Sequence, residues 1–171
     1  PIASMPSSVA SSIRSAPVSQ EPLYYVPRRG IEATADEVDL KSLAADTFVM
    51  VPDQCGLART TRALFASAGL HLQVYAGEAM GYHVLQEWAA LDLGSAILPQ
   101  SRLSEGARAV PLMRAPGVAA VLTYRVAWHN EYRRGKQLAA LLRSFQPNTR
   151  RGAATTLAPA GEAPGHLRRI R

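Results

Sequence analysis

Apolar positions recur along this chain in two periods, and the alternation between them predicts the order of elements. Residues 22–27 (PLYYVP) form a short β-rich run bounded by prolines, which suits an edge or crossing strand. Residues 31–46 place Leu40 and Leu43 among acids and predict a single helical turn. Residues 47–51 (TFVMV) are short, continuous and apolar, the mark of a buried strand that ends at Pro52. Leu57, Thr61, Leu64, Phe65 and Ala68 then fall on one helical face, with Asp53 as the expected N-cap and Gly69 as the stop.

The pattern repeats. Residues 71–75 predict a second strand, Gly77 and Glu78 a turn, and Met80, Val84, Leu85, Trp88 and Leu91 an apolar helical stripe stopped at Gly94. Residues 95–98 (SAIL) predict a third strand closed by Pro99, followed by a short strand at 110–113 and a turn at Pro116 and Gly117. Strand, helix, strand, helix, strand implies parallel pairing through right-handed crossovers. From Val118 to Trp128 alternate residues are apolar, as in a strand long enough to pass between two lobes. Asn130 is the expected cap of a last helix whose face is Leu138, Leu141, Leu142 and Phe145.

Composition narrows the class. With 171 residues, 47% hydrophobic and 19% charged, the chain can bury a core, and no apolar run approaches the ~18 residues of a membrane span. Residues 1–20 are rich in Ser, Ala and Pro rather than built as a secretory leader, and the single cysteine, Cys55, has no internal partner. A cytoplasmic setting is expected. The net charge of +6 is unevenly placed: Arg150, Arg151, Arg168, Arg169 and Arg171 against Glu162 hold four of those charges, leaving two for residues 1–148. Residues 147–171 therefore read as a basic, disordered tail. The four histidines lack metal-ligand spacing, and there is no phosphate-binding Gly-rich loop, carboxylate pair or nucleophile elbow, so neither catalysis nor a cofactor or metal is expected.

Three stretches in order, QEPLYYV (20–26), TFVMVPDQCGLARTTRALFASAG (47–69) and GEAMGYHVLQEWAALDLGSAILPQSRL (77–103), resemble the effector-binding domain of LysR-type transcription regulators over residues 13–146. The resemblance implies an α/β, periplasmic-binding-protein-like fold of two lobes, with an effector in the cleft between them. It maps residues 30–117 to a nearly complete second lobe. Residues 1–29 become the end of a partial first lobe and a crossing strand, and residues 118–146 the return strand and the first lobe's C-terminal helix. The first lobe's opening elements and the N-terminal helix-turn-helix lie outside the sequence, which starts at Pro1. A longer, homo-oligomeric parent would contact DNA only through that missing part. The alternative is a solute-binding receptor of the same architecture.

In open α/β sheets ligands sit beyond the carboxyl ends of strands, where helix N-termini offer free N–H groups. Three loops meet that description: Pro52, Asp53, Gln54, Cys55 and Gly56; Ala76, Gly77, Glu78, Ala79 and Met80; and Pro99, Gln100 and Ser101. The resemblance places the second-lobe half of the cleft at the same loops. A small, preferably anionic effector is expected there. Asp53 reads more readily as an N-cap than as a ligand contact, Glu78 likewise as a helix-terminal acid, Met80 and Trp88 as core, and His83 as surface. Cys55 sits where the peroxide-sensing LysR branch keeps a reactive cysteine. With no second cysteine to resolve an oxidised one, it reads instead as a pocket-lining thiol.

Overall fold

The computed structural model describes residues 12–31 and 35–145. The basic tail expected at 147–171 lies outside the described residues. One long strand organises the rest. β1 (Ile13–Val26) pairs antiparallel with β8 (Val121–His129) along its first ten residues, then with β5 (Ala96–Pro99) and β6 (Val110–Ala115) along its last four. The sequence marks only the apolar end of this strand. Its first part alternates Arg, Ser, Pro and Gln with little apolar content, and backbone pairing to a segment a hundred residues away holds it extended. The ladder slips between Pro17 and Ser19, with Val18 as the extra residue of a bulge just after a proline that has no N–H to give.

Around the end of β1 lies a compact α/β layer. β3 (Thr47–Met50) and β4 (Gln73–Glu78) pair in parallel, and Phe48 bridges in parallel to Ser95 at the start of β5. α1 (Gly56–Ser67) and α2 (Tyr82–Ala90) supply the crossovers. β2 (Val38–Asp39) runs parallel to β6, and the expected helical turn is a 3-10 turn at Leu40–Leu43. The strand expected over Val118 to Trp128 is split into β7 (Val118–Ala119), which pairs with β6, and β8; between them Ala120 is buried. α3 (Gly135–Phe145) packs Leu142 inward and leaves Leu141 exposed, so Leu141 is not part of the buried face expected for it.

Several expected boundaries move for identifiable reasons. β4 starts at Gln73 and runs through Gly77 and Glu78, because Ala79 N–H closes onto Met50 O at 2.8 Å instead of turning away. Cys55, not Asp53, is the N-cap of α1, while Asp53 pairs with Arg62 at 2.8 Å. Helix α2 ends at Ala90, followed by Asp92 in the left-handed region at φ 64°. Gly94 serves a different purpose: a Cβ there would lie 2.8 Å from Thr47 O, so its absence lets the chain pass against β3. Met80, 88% exposed, and Leu91, 68% exposed, are not core, since the buried face of α2 is Leu85 and Ala89. Asn130 does not cap α3, which starts five residues later; its Oδ1 accepts from Arg14 Nε across the β1 and β8 pair.

The core centres on Phe48, fully buried, with its ring set edge-on to Phe65 at 5.3 Å and to Tyr25 at 6.3 Å. It joins β3 to α1 and to β1 in one contact set. Tyr25 adds a polar tie, donating to Asp46 at 2.7 Å and sharing a hydrogen bond with Ser95 at 3.1 Å, and burial with the Asp46 charge pushes its phenol well up. Removing the Phe48 ring by Phe48→Ala is expected to destabilise the domain by about 3–5 kcal/mol. Urea denaturation followed by circular dichroism measures this, and a loss below about 1 kcal/mol would show that the ring contacts do not hold the two halves of the layer together.

Candidate functional site

The ends of β3, β4 and β5 deliver three segments to one side of the layer. α1 begins at Gly56 and α2 at Tyr82, each with its N-cap backbone extended and without a side-chain cap bond. Their first-turn N–H groups and partial positive charge therefore face the same region. The two helix starts touch: Cys55 Sγ and Tyr82 Oη share a hydrogen bond at 3.3 Å. Beyond β5, a 3-10 turn (Gln100–Arg102) carries Ser101 and Arg102 to the surface, where the Arg102 guanidinium lies 5.8 Å from the centroid of the Tyr82 ring.

β1 and β8 close the cluster from the other side. Glu21 on β1 accepts the Ser101 N–H at 2.5 Å through Oε1 and the Tyr124 hydroxyl at 2.9 Å through Oε2. Burial pushes the Glu21 carboxyl up, but these bonds and the Arg102 charge outweigh it and hold the group below its ordinary value. Burial likewise pushes the Cys55 thiol up. The Tyr82 hydroxyl, the backbone N–H groups of Leu57 and Ala58 and the Arg59 charge overcome it, so the thiol sits below its ordinary value. Tyr82 moves the opposite way, to about 12, through burial and its bond to Cys55.

Of the residues expected from the sequence, Cys55, Gly56, Gln100 and Ser101 fall in or beside this cluster. Gln54 is exposed in the turn before α1, and Asp53 is taken up by Arg62. The middle loop contributes less. Gly77 gives room to Trp88, whose ring would lie 3.2 Å from a Cβ at that position, and Ala79 is buried. Glu78 and Met80 are exposed, and Pro99 is buried at the end of β5. Sequence reasoning missed Glu21, Tyr82, Arg102 and Tyr124. Tyr82 and Arg102 stand one or two residues past loops already singled out, so a wider window would have caught them. Glu21 and Tyr124 depend on the β1 and β8 register, in which Glu21 faces Leu122 and Ser19 faces Tyr124.

Three open cavities among the described residues lie elsewhere: about 390 Å³ beside Tyr25 and Asp46, about 470 Å³ between Arg29 and Arg108, and about 690 Å³ beside Trp128 and Lys136. None of them includes the polar cluster, which is an open face with Ser101 and Arg102 at its rim. We nevertheless take the cluster as the site, because volume alone carries no chemistry, whereas here two helix starts, a cation and a carboxylate converge.

Comparison with known proteins identifies the fold. The LysR substrate binding domain profile covers residues 2–150. No curated protein sequence matches significantly. Among solved structures, the effector-binding domain of QuiR in complex with shikimate superposes with a TM-score of 0.60 at 19% identity, covering 79% of this chain and 64% of that one. The Synechocystis PCC6803 CcmR regulatory domain in complex with 2-PG gives 0.58 at 18% identity, over 86% and 72%. Full-length CbnR complexed with target DNA gives 0.63 at 16%, over 78% and 48%. The chain thus spans 64% of the length of the QuiR domain and shares with these proteins the two-lobe, periplasmic-binding-protein-like α/β fold. It belongs to the LysR substrate binding domain family, the effector-binding part of LysR-type regulators.

Proposed function

We propose that this domain binds a small anionic metabolite at the Cys55, Tyr82, Ser101 and Arg102 cluster and that binding controls a DNA-binding regulator of which the chain is the sensing part. The observation that carries this reading is Arg102. Its guanidinium is exposed over the Tyr82 ring, and no carboxylate of the described residues pairs with it within 4 Å. The starts of α1 and α2 meet beside it and add their positive ends. Asp53, just before α1, is paired with Arg62 at 2.8 Å.

In this reading residues 30–117 supply the second-lobe wall, residues 1–29 and 118–146 the crossing strands and the adjoining part of the first lobe, and residues 147–171 a basic tail. The chain acts by binding and not by catalysis, without cofactor or metal. The parent is a cytoplasmic homo-oligomer whose DNA contact is made by an N-terminal helix-turn-helix. CbnR bound to its target DNA supports that part by analogy, and the ligands of QuiR and CcmR, shikimate and 2-PG, support a small acid as effector. The family match favours this over a transport receptor.

A ligand that binds only the native state stabilises it by about 2.7 kcal/mol at 100 times its dissociation constant. A thermal-shift screen of small acids and amines is therefore expected to return acids. Arg102→Ala should weaken each by roughly tenfold or more, the worth of one charge-assisted hydrogen bond. Hits confined to amines, or acids that bind Arg102→Ala unchanged, would contradict the assignment.

The depressed Cys55 thiol gives a second check of the same geometry. Its thiolate forms at lower pH than in an unfolded peptide, so alkylation by iodoacetamide is expected to rise at a lower pH in the folded protein. Tyr82→Phe removes this hydrogen-bond partner and should move that midpoint up. A profile identical in folded protein and peptide would show that Tyr82 and the α1 N–H groups do not act on the sulfur.

A further inference from the structure

The hydrogen-bond inventory of the cluster is lopsided. Its uncharged donors are largely spent internally: the Ser101 N–H and the Tyr124 hydroxyl go to Glu21, and the Tyr82 hydroxyl and the Cys55 thiol bond each other, which leaves the Arg102 guanidinium to hold an anion. Acceptors remain. An ionised carboxylate offers about four lone-pair sites; the Ser101 N–H and the Tyr124 hydroxyl take one at each oxygen and the Ser101 side chain also bonds Glu21, which leaves capacity for a further donor. The Tyr124 oxygen, having donated its proton, also still accepts. A ligand anion held by Arg102 thus arrives beside a fixed carboxylate with acceptor capacity to fill. A ligand that is only an anion leaves those acceptors unanswered and meets the like charge of Glu21.

We infer that Glu21 makes the site selective for a small anion that also carries a hydrogen-bond donor, a hydroxy acid or an amino acid. The inference rests on the anion site proposed above and narrows its ligand. Glu21 is well suited to the task because three separate segments fix it. Its backbone lies in the β1 ladder opposite Leu122, one carboxylate oxygen is tied to the turn after β5, and the other to β8. A carboxylate held in place discriminates better than a mobile one, since leaving a ligand donor unpaired, or an acceptor unpaired in the site, cannot be relieved by swinging aside. Hydroxyl and ammonium donors are equivalent to it in kind, and they differ in that an ammonium also cancels its charge.

The test uses the full 171-residue chain and matched ligand sets that share one carbon skeleton: 4-methylpentanoate, 2-hydroxy-4-methylpentanoate, leucine and isobutylmalonate, with cyclohexene-1-carboxylate against shikimate as a ring set. Titration calorimetry is expected to show the hydroxy or amino member of at least one set binding about tenfold or more tighter than its donor-free parent, with isobutylmalonate no better than 4-methylpentanoate. Comparing the hydroxy and amino members then tells which donor is used. Glu21→Gln should collapse that gap to within about threefold, and Glu21→Asp, which keeps the charge but withdraws it by one methylene, should leave it intermediate. Melting of each ligand-free variant confirms that it folds, and the Asp variant carries the test should Gln fail. Donor-free and donor-bearing acids binding alike, or a gap unchanged by both substitutions, would overturn the role of Glu21 while loss of binding in Arg102→Ala still upheld the anion site. Binding indifferent to Arg102→Ala would overturn the site itself, and a chain that binds no member of either set would overturn both.

Discussion

The hydrogen-bond ladder of β1 is the constraint on which the rest of the structure depends. A single strand of 14 residues gives its first ten to β8 and its last four to β5 and β6. Backbone N–H and C=O groups must be paired when water is excluded, so this ladder fixes register as well as adhesion. Its consequences reach both ends of the molecule. Tyr25, near the β1 end, is locked by Asp46 and Ser95 into the parallel layer, while Arg14, near the start, is tied to Asn130 beside the approach to α3. Glu21 lies just before the change of partner, which is why one carboxylate can reach both the return strand and the turn after β5.

That same geometry explains how the site acquires a charge pattern no single loop carries. The helix starts and Arg102 supply the positive part from the parallel layer, and Glu21 supplies the negative part from β1. Burial raises the cost of every charge in the cluster, yet Glu21 and Cys55 both end below their ordinary values because several donors converge on each. A ligand in such a place would touch the layer and the β1 and β8 pair at once. Its binding energy then depends on how the two are arranged, which is the physical requirement for a ligand to shift that arrangement.

How much of this was legible in the sequence follows from the range of the interactions. β3, α1, α2 and β5 announce themselves through local apolar periodicity, and each lies within a few residues of its expected place, as Leu57, Thr61 and Phe65 on α1 illustrate. The first half of β1 was not legible, because residues 13–21 are held by pairing to β8 and not by burial of their own side chains. Asp53 has the right chemistry for a cap but found Arg62, and Met80 has the right hydropathy for the core but precedes the helix that would have turned it inward. For the site, sequence position located the loops that open α1 and follow β5. It was silent on Glu21 and Tyr124, which stand 103 residues apart and meet only through the ladder.

Backbone amide mapping tests the central claim most directly, that the meeting point of α1, α2, the turn after β5 and the crossing strands is where the effector sits. Proton–nitrogen spectra of the isotope-labelled chain, recorded as the tightest-binding small acid is titrated in, report each amide separately. The largest shifts are predicted at Gly56, Tyr82, Ser101 and Arg102, with Glu21 and Tyr124 responding across the ladder. Shifts gathered instead around Trp128 and Lys136, or around Arg29 and Arg108, with the amides of the cluster unmoved, would contradict it.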